Sequence, residues 1–149
     1  MKNYRPIEKR WEIVKSGGYE IINDSYNANP ESMRAFVDTI FELYNDSVLV
    51  LGDMGELGEN EIQYHKDLSS YIYNKNPQAK VITVGNLSKN IDGQNFENIE
   101  DAVCYIKSNI SQSTKLFLKA SRSMKFERFI ELLRYKNFNH FIVENKPCQ

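Results

Sequence analysis

"IINDSYNANPESM", residues 21–33, begins as a buried strand and ends as the first turn of a helix. Between the two, Asn23, Asp24, Ser25, Tyr26, Asn27 and Asn29 crowd the strand's carboxyl end. Strand propensity alone favours Val, Ile and aromatics at such positions, so the polar cluster has another purpose. Pro30 suits the first helical position, and Asn29 before it suits the N-cap. A strand that passes into a helix through a polar loop is the opening of a βαβ unit.

The rest of the chain repeats that unit. "YEIIND" (19–24), "SVLVLGD" (47–53), "AKVITVG" (79–85) and "KLFLKAS" (115–121) are short apolar runs. The last three are nearly continuous rather than alternating, as in strands covered on both faces. Helical spacing fills the intervals over 30–44, 59–75, 99–110 and 123–135. In the first of these, Met33, Phe36, Val37, Ile40, Phe41 and Tyr44 share one stripe. Ahead of the series, two extended runs flank Gly17-Gly18 and predict a β-hairpin. A late "FIVEN" (141–145) predicts an edge strand. The expected fold over 1–149 is one α/β domain, a Rossmann-like doubly wound, mostly parallel sheet with helices on both faces.

Composition narrows the function classes. The 149 residues are 41% hydrophobic and 26% charged, ordinary for a soluble domain. With 19 basic and 20 acidic residues the net charge is -1, so nothing recommends nucleic acid or an anionic membrane as partner. No apolar run approaches the roughly 20 residues of a membrane span. The amino terminus lacks the apolar core of a secretory signal, so the expected location is cytoplasmic. Cys104 and Cys148 lie far apart without CxxC spacing, and free thiols are expected. With only His65 and His140, neither a metal site nor a Ser–His–Asp set is expected.

In an open parallel sheet, ligands bind where loops leave the carboxyl ends of the strands. Four polar loops fall there: "NDSYNANP", "GDMGELGE", "GNLSKN" and "KASRSM". Asp24 could accept two ribose hydroxyls or close an Asx-turn. The glycines of "GDMGELGE" do not match GxGxxG, and its acids would repel a pyrophosphate. His65, on the next helix, reads as packed or solvated rather than catalytic. Ser123 is the expected N-cap of the last helix. Lys119 and Arg122 bring positive charge to a helix amino terminus, either for an anionic ligand or for the acidic "GDMGELGE" loop. No GxxxxGK[ST] loop is present, so phosphoryl transfer is not expected from this chain alone.

"DSYNANPESM", "VLVLGDMGELGE" with the downstream His65, and "KASRSMKFE" occur in an order and spacing that resemble the carboxy-terminal domain of the Mur ligases. The resemblance covers nearly the whole chain. It is strongest to the branch that joins D-alanyl-D-alanine to UDP-N-acetylmuramoyl-tripeptide through an acyl phosphate. It implies ATP and Mg2+ as cofactors, bound mainly by a central ATPase domain against which this domain packs. That domain and a UDP-sugar domain are expected to lie outside this chain. The resemblance also implies nucleotide contacts from Arg10, Asp24, Tyr26, Asn27 and Asn29. Asp24 would take the ribose, and Arg10 would approach the phosphates. Ser121 and Arg122 would meet the incoming dipeptide. No catalytic residue is implied here, and the chain alone is expected to be inactive.

Two positions depart from the family pattern. Lys9-Arg10 stands for GR, and Ala120 stands for the glycine of KGSR, which narrows the backbone freedom there. A stand-alone module binding a nucleotide or a D-amino-acid peptide is the alternative from another class. A folylpolyglutamate synthase-like domain is a third reading, against which the YNANP and GDM-ELGE stretches argue.

Overall fold

The computed structural model describes residues 11–135. Gly17 and Gly18, at φ of 59° and 89°, turn strand β1 (Glu12–Ser16) directly into β2 (Tyr19–Asn23). Positive φ at both turn residues matches the right-handed strand twist, and Ser16 pairs with Tyr19 across the hairpin. There follow α1 (Pro30–Leu43), β3 (Ser47–Gly52), α2 (Glu61–Lys75), β4 (Val81–Val84) and β5 (Gln94–Phe96). The series ends with α3 (Ile99–Asn109), β6 (Lys115–Lys119) and α4 (Glu127–Leu133).

Among the described residues six strands form one sheet, in the order β1-β2-β6-β3-β4-β5. Only the β1–β2 pair is antiparallel; the other four pairings are parallel. The core has two layers, one on each sheet face. Ile22, Leu49, Leu51 and Phe117 pack against Met33, Phe36, Val37 and Ile40 of α1 and Leu68 and Ile72 of α2. Ile21, Val48, Val50, Leu116 and Leu118 pack against α3 and α4. Alternate strand residues thus serve opposite layers, as the pleat requires.

The doubly wound fold is as expected, with three local corrections. Strand β5 was not expected: Gln94 and Asn95 are polar and exposed at the sheet edge and Phe96 alone is apolar, so no apolar run marks it. Helix α4 begins at Glu127, because a 3-10 turn occupies Arg122–Met124 and Lys125 is left-handed at φ 54°. Ser123 is therefore no N-cap, and its hydroxyl lies 3.2 Å from that of Ser121. Cys104 is disulfide-bonded rather than free. The expected strand at 141–145 and Cys148 lie outside the described residues.

Candidate functional site

Strand β6 lies between β2 and β3, both of which lead to α1 and α2 on one sheet face. The chain leaving β6 enters α4 on the other face. Loops that part in this way open a crevice at the strands' carboxyl ends, the place where open α/β sheets take ligands. Backbone contacts knit the rim together. Ser121 N–H donates to the Asp53 carbonyl at 3.0 Å, and Gly55 N–H to the Ala28 carbonyl at 3.4 Å.

At the centre of the rim is a buried ion pair. Ile22 faces Phe117 in the β2–β6 register, and two residues on, Asp24 faces Lys119. Asp24 Oδ2 accepts from Lys119 Nζ at 3.1 Å, and each residue is only 1% exposed. The ammonium also donates to the Asn27 carbonyl at 2.9 Å and lies 5.6 Å from the centroid of the Phe36 ring. The carboxylate beside the Lys119 ammonium is that of Asp24 on the neighbouring strand end.

Around the pair the expected contact residues divide. Tyr26 is 57% exposed, and the Arg122 guanidinium sits 5.5 Å from its ring centroid. Asn27 is exposed beside them. Ser121 is nearly buried, its hydroxyl turned toward Ser123. Asn29 is half-buried and caps α1 in both directions. Ser32 N–H donates to Asn29 Oδ1 at 2.8 Å, and Asn29 N–H donates to Ser32 Oγ at 3.1 Å. Asn29→Ala should therefore cost about 1 kcal/mol of stability, read from the urea midpoint. Arg10 lies outside the described residues.

His65 is fully buried and structural. Its Nε2 accepts from Met54 N–H at 3.0 Å, while Nδ1 lies 2.6 Å from the Glu61 carbonyl and donates to it. The two bonds define a neutral tautomer and tie the 53–57 loop to α2. His65→Ala should cost about 1–3 kcal/mol in chemical denaturation, because Met54 N–H loses its acceptor in the interior. Asp53 is also engaged locally, its Oδ1 accepting from Ser88 N–H at 2.7 Å and Leu87 N–H at 3.1 Å. Sequence reading did not find the partners of Asp53 and Lys119 at the rim. Their partners are 35 and 95 residues away, and no local pattern announces them.

Ala120 is accommodated. Its φ is not in the left-handed region, and its methyl is buried against Gly52, where an added Cβ would come within 2.7 Å of it. The close approach in this chain is made by Gly52 instead. Ala120→Gly should lower stability by about 1 kcal/mol through the lost methyl and the freer unfolded chain. Among the described residues, no three His, Cys, Asp or Glu side chains group to hold a metal ion. No helix among them is long and apolar enough to cross a membrane.

Comparison with known proteins agrees with this architecture. Residues 9–134 match the model of the Mur ligase, glutamate ligase domain. The UDP-N-acetylmuramoyl-tripeptide–D-alanyl-D-alanine ligase of Bacillus subtilis is 35% identical over 136 residues, covering 82% of this chain and 30% of that protein. Its counterpart in Buchnera aphidicola subsp. Baizongia pistaciae is 34% identical over 135 residues, covering 85% and 29%. A crystal structure of MurF from Acinetobacter baumannii superposes at TM-score 0.73 with 27% identity, covering 87% of this chain and 30% of that one. MurF ligase from Thermotoga maritima, crystallised with ADP, superposes at 0.71 with 22% identity, covering 84% and 30%. The chain thus spans less than a third of the length of these relatives. With sequence and fold matching over the same stretch, the chain belongs to the Mur ligase family and corresponds to its glutamate ligase domain.

Proposed function

We propose that this chain is the third domain of an ATP-dependent amide ligase of peptidoglycan precursor synthesis. The full protein would join D-alanyl-D-alanine to UDP-N-acetylmuramoyl-tripeptide in the cytoplasm. The observation that carries the reading is the convergence of Tyr26, Asn27 and Arg122 at the carboxyl ends of β2 and β6, in a domain whose relatives bear that ligase's name.

In this proposal the rim is half of a cleft, and a central ATPase domain supplies the other half with most contacts to ATP and Mg2+. ATP supplies the phosphoryl group that turns the tripeptide's terminal carboxylate into an acyl phosphate, which the dipeptide amine can attack. Tyr26 offers an exposed ring, and Asn27 offers amide donors and acceptors on the nucleotide side. Asn29 sets the direction of the loop by capping α1. Asp24 is the proposed ribose acceptor by resemblance, its carboxylate lying beside the Lys119 ammonium at the strand end. Arg10 is assigned to the phosphates by resemblance alone. Arg122 supplies a cation for the dipeptide carboxylate, with Ser121 as a hydroxyl donor. Packing of this rim on the central domain would exclude water from the acyl phosphate.

The test is steady-state kinetics on the full-length ligase. Arg122→Ala should raise the KM for D-alanyl-D-alanine by about 10- to 150-fold, the equivalent of a lost charged hydrogen bond. The KM for the UDP-linked substrate should stay put. An unchanged dipeptide KM removes Arg122 from that site. Isolated residues 1–149 should bind ATP no tighter than about millimolar, since most phosphate contacts would lie elsewhere. Micromolar binding would favour a self-sufficient module.

A further inference from the structure

Lys119 has the chemistry of an anion-binding lysine and none of the access. The residue is 1% exposed, and its ammonium engages three oxygens of one loop: Asp24 Oδ2 at 3.1 Å, the Asn27 carbonyl at 2.9 Å and the Asp24 carbonyl at 3.4 Å. That loop carries Tyr26 and Asn27 at its tip. Three residues beyond Lys119 along its own strand end comes Arg122, whose guanidinium stacks on the Tyr26 ring. Lys119 therefore anchors one side of the rim to the strand that bears the other.

We propose that Lys119 is a positioning residue, which sets Tyr26 and Asn27 against Arg122 so that the two halves of the rim present one surface. The burial of the ammonium makes the arrangement directional. Inside the protein a cation is stable only where its oxygens are held in place, so the loop cannot drift without stranding the charge. A neutral side chain of the same length would fill the space and leave the loop unconstrained. The role in catalysis rests on the ligase reading above; the anchoring of the loop does not.

Two measurements separate these levels. The first is 15N relaxation on the wild-type chain and on Lys119→Met. Tyr26 and Asn27 should show order parameters of about 0.85 in the wild type and below about 0.6 in the variant. A wild-type loop already below 0.6 overturns the proposal, and so does a variant loop that stays rigid. If Lys119→Met does not fold, the wild-type value decides alone. The second is kinetics of the full-length ligase carrying Lys119→Met. Displacing the nucleotide-side loop should raise the KM for ATP by about 10- to 100-fold while the KM for the UDP-linked substrate holds. Simple destabilisation would lower the active fraction and leave both KM values alone, which contradicts a positioning role. Wild-type protein without ligase activity would refute the functional reading, leaving the relaxation result to judge the anchor.

Discussion

Asp24→Ala destabilises the chain by about 3–5 kcal/mol, because it removes the carboxylate from a buried lysine. The magnitude follows from asymmetry. As a pair, Asp24 and Lys119 roughly repay the cost of leaving water. Truncating one partner leaves the other still buried, with its attraction gone. Against a total of about 5–15 kcal/mol for a typical domain, that loss is large enough to unfold part of the population at physiological temperature. Urea denaturation reads it as a lower midpoint at constant slope. A second substitution sharpens the test. Adding Lys119→Met to Asp24→Ala removes the stranded charge, so the double variant should be more stable than Asp24→Ala alone. Single-variant costs that simply add would show that the two side chains do not interact.

Phe36→Ala is expected to cost a similar amount, about 3–5 kcal/mol, for a different reason. The Phe36 ring is fully buried on α1 and meets Trp11 and Phe117 edge-on, with centroids 6.0 Å and 6.5 Å away. Its removal opens a cavity between helix and sheet that the rigid strands cannot close. It also strips the apolar wall beneath the Lys119 ammonium. A thermal scan should show a fall of roughly 6–20 °C in Tm for a chain of this size. A fall under about 2 °C would mean that neighbouring side chains refill the space and that the layer is looser than its geometry suggests.

The parts of this molecule that could be read from sequence are those encoded locally. Continuous apolar runs marked β3, β4 and β6, since strands covered on both faces carry no polar alternation. Gly17-Gly18 marked the hairpin because only glycine enters such φ values freely. Asn29 before Pro30 marked the start of α1, and the capping box is formed. Strand β5 escaped because an exposed edge needs no apolar residues. The start of α4 escaped because a 3-10 turn at Arg122–Met124 takes up the residues that look like its first turn. Lys119 was the instructive case. Its charge was legible and pointed to an anion, but its partner comes from a strand 95 residues earlier. The register of β2 on β6 decides that meeting, and no stretch of sequence contains it.

The central claim is that the loops following β2 and β6 form one ligand-facing surface at the strands' carboxyl ends, with Arg122 against the Tyr26 ring coupling the dipeptide side to the nucleotide side. An amide chemical-shift titration of the 149-residue chain with ATP, carried into the millimolar range, tests it most directly. Shifts confined to residues 24–28 and 120–124, saturating together, are the predicted result. Shifts gathered instead at the opposite end of the sheet, around Tyr44, Asp46 and Lys80, would contradict it, as would a rim that does not respond at all.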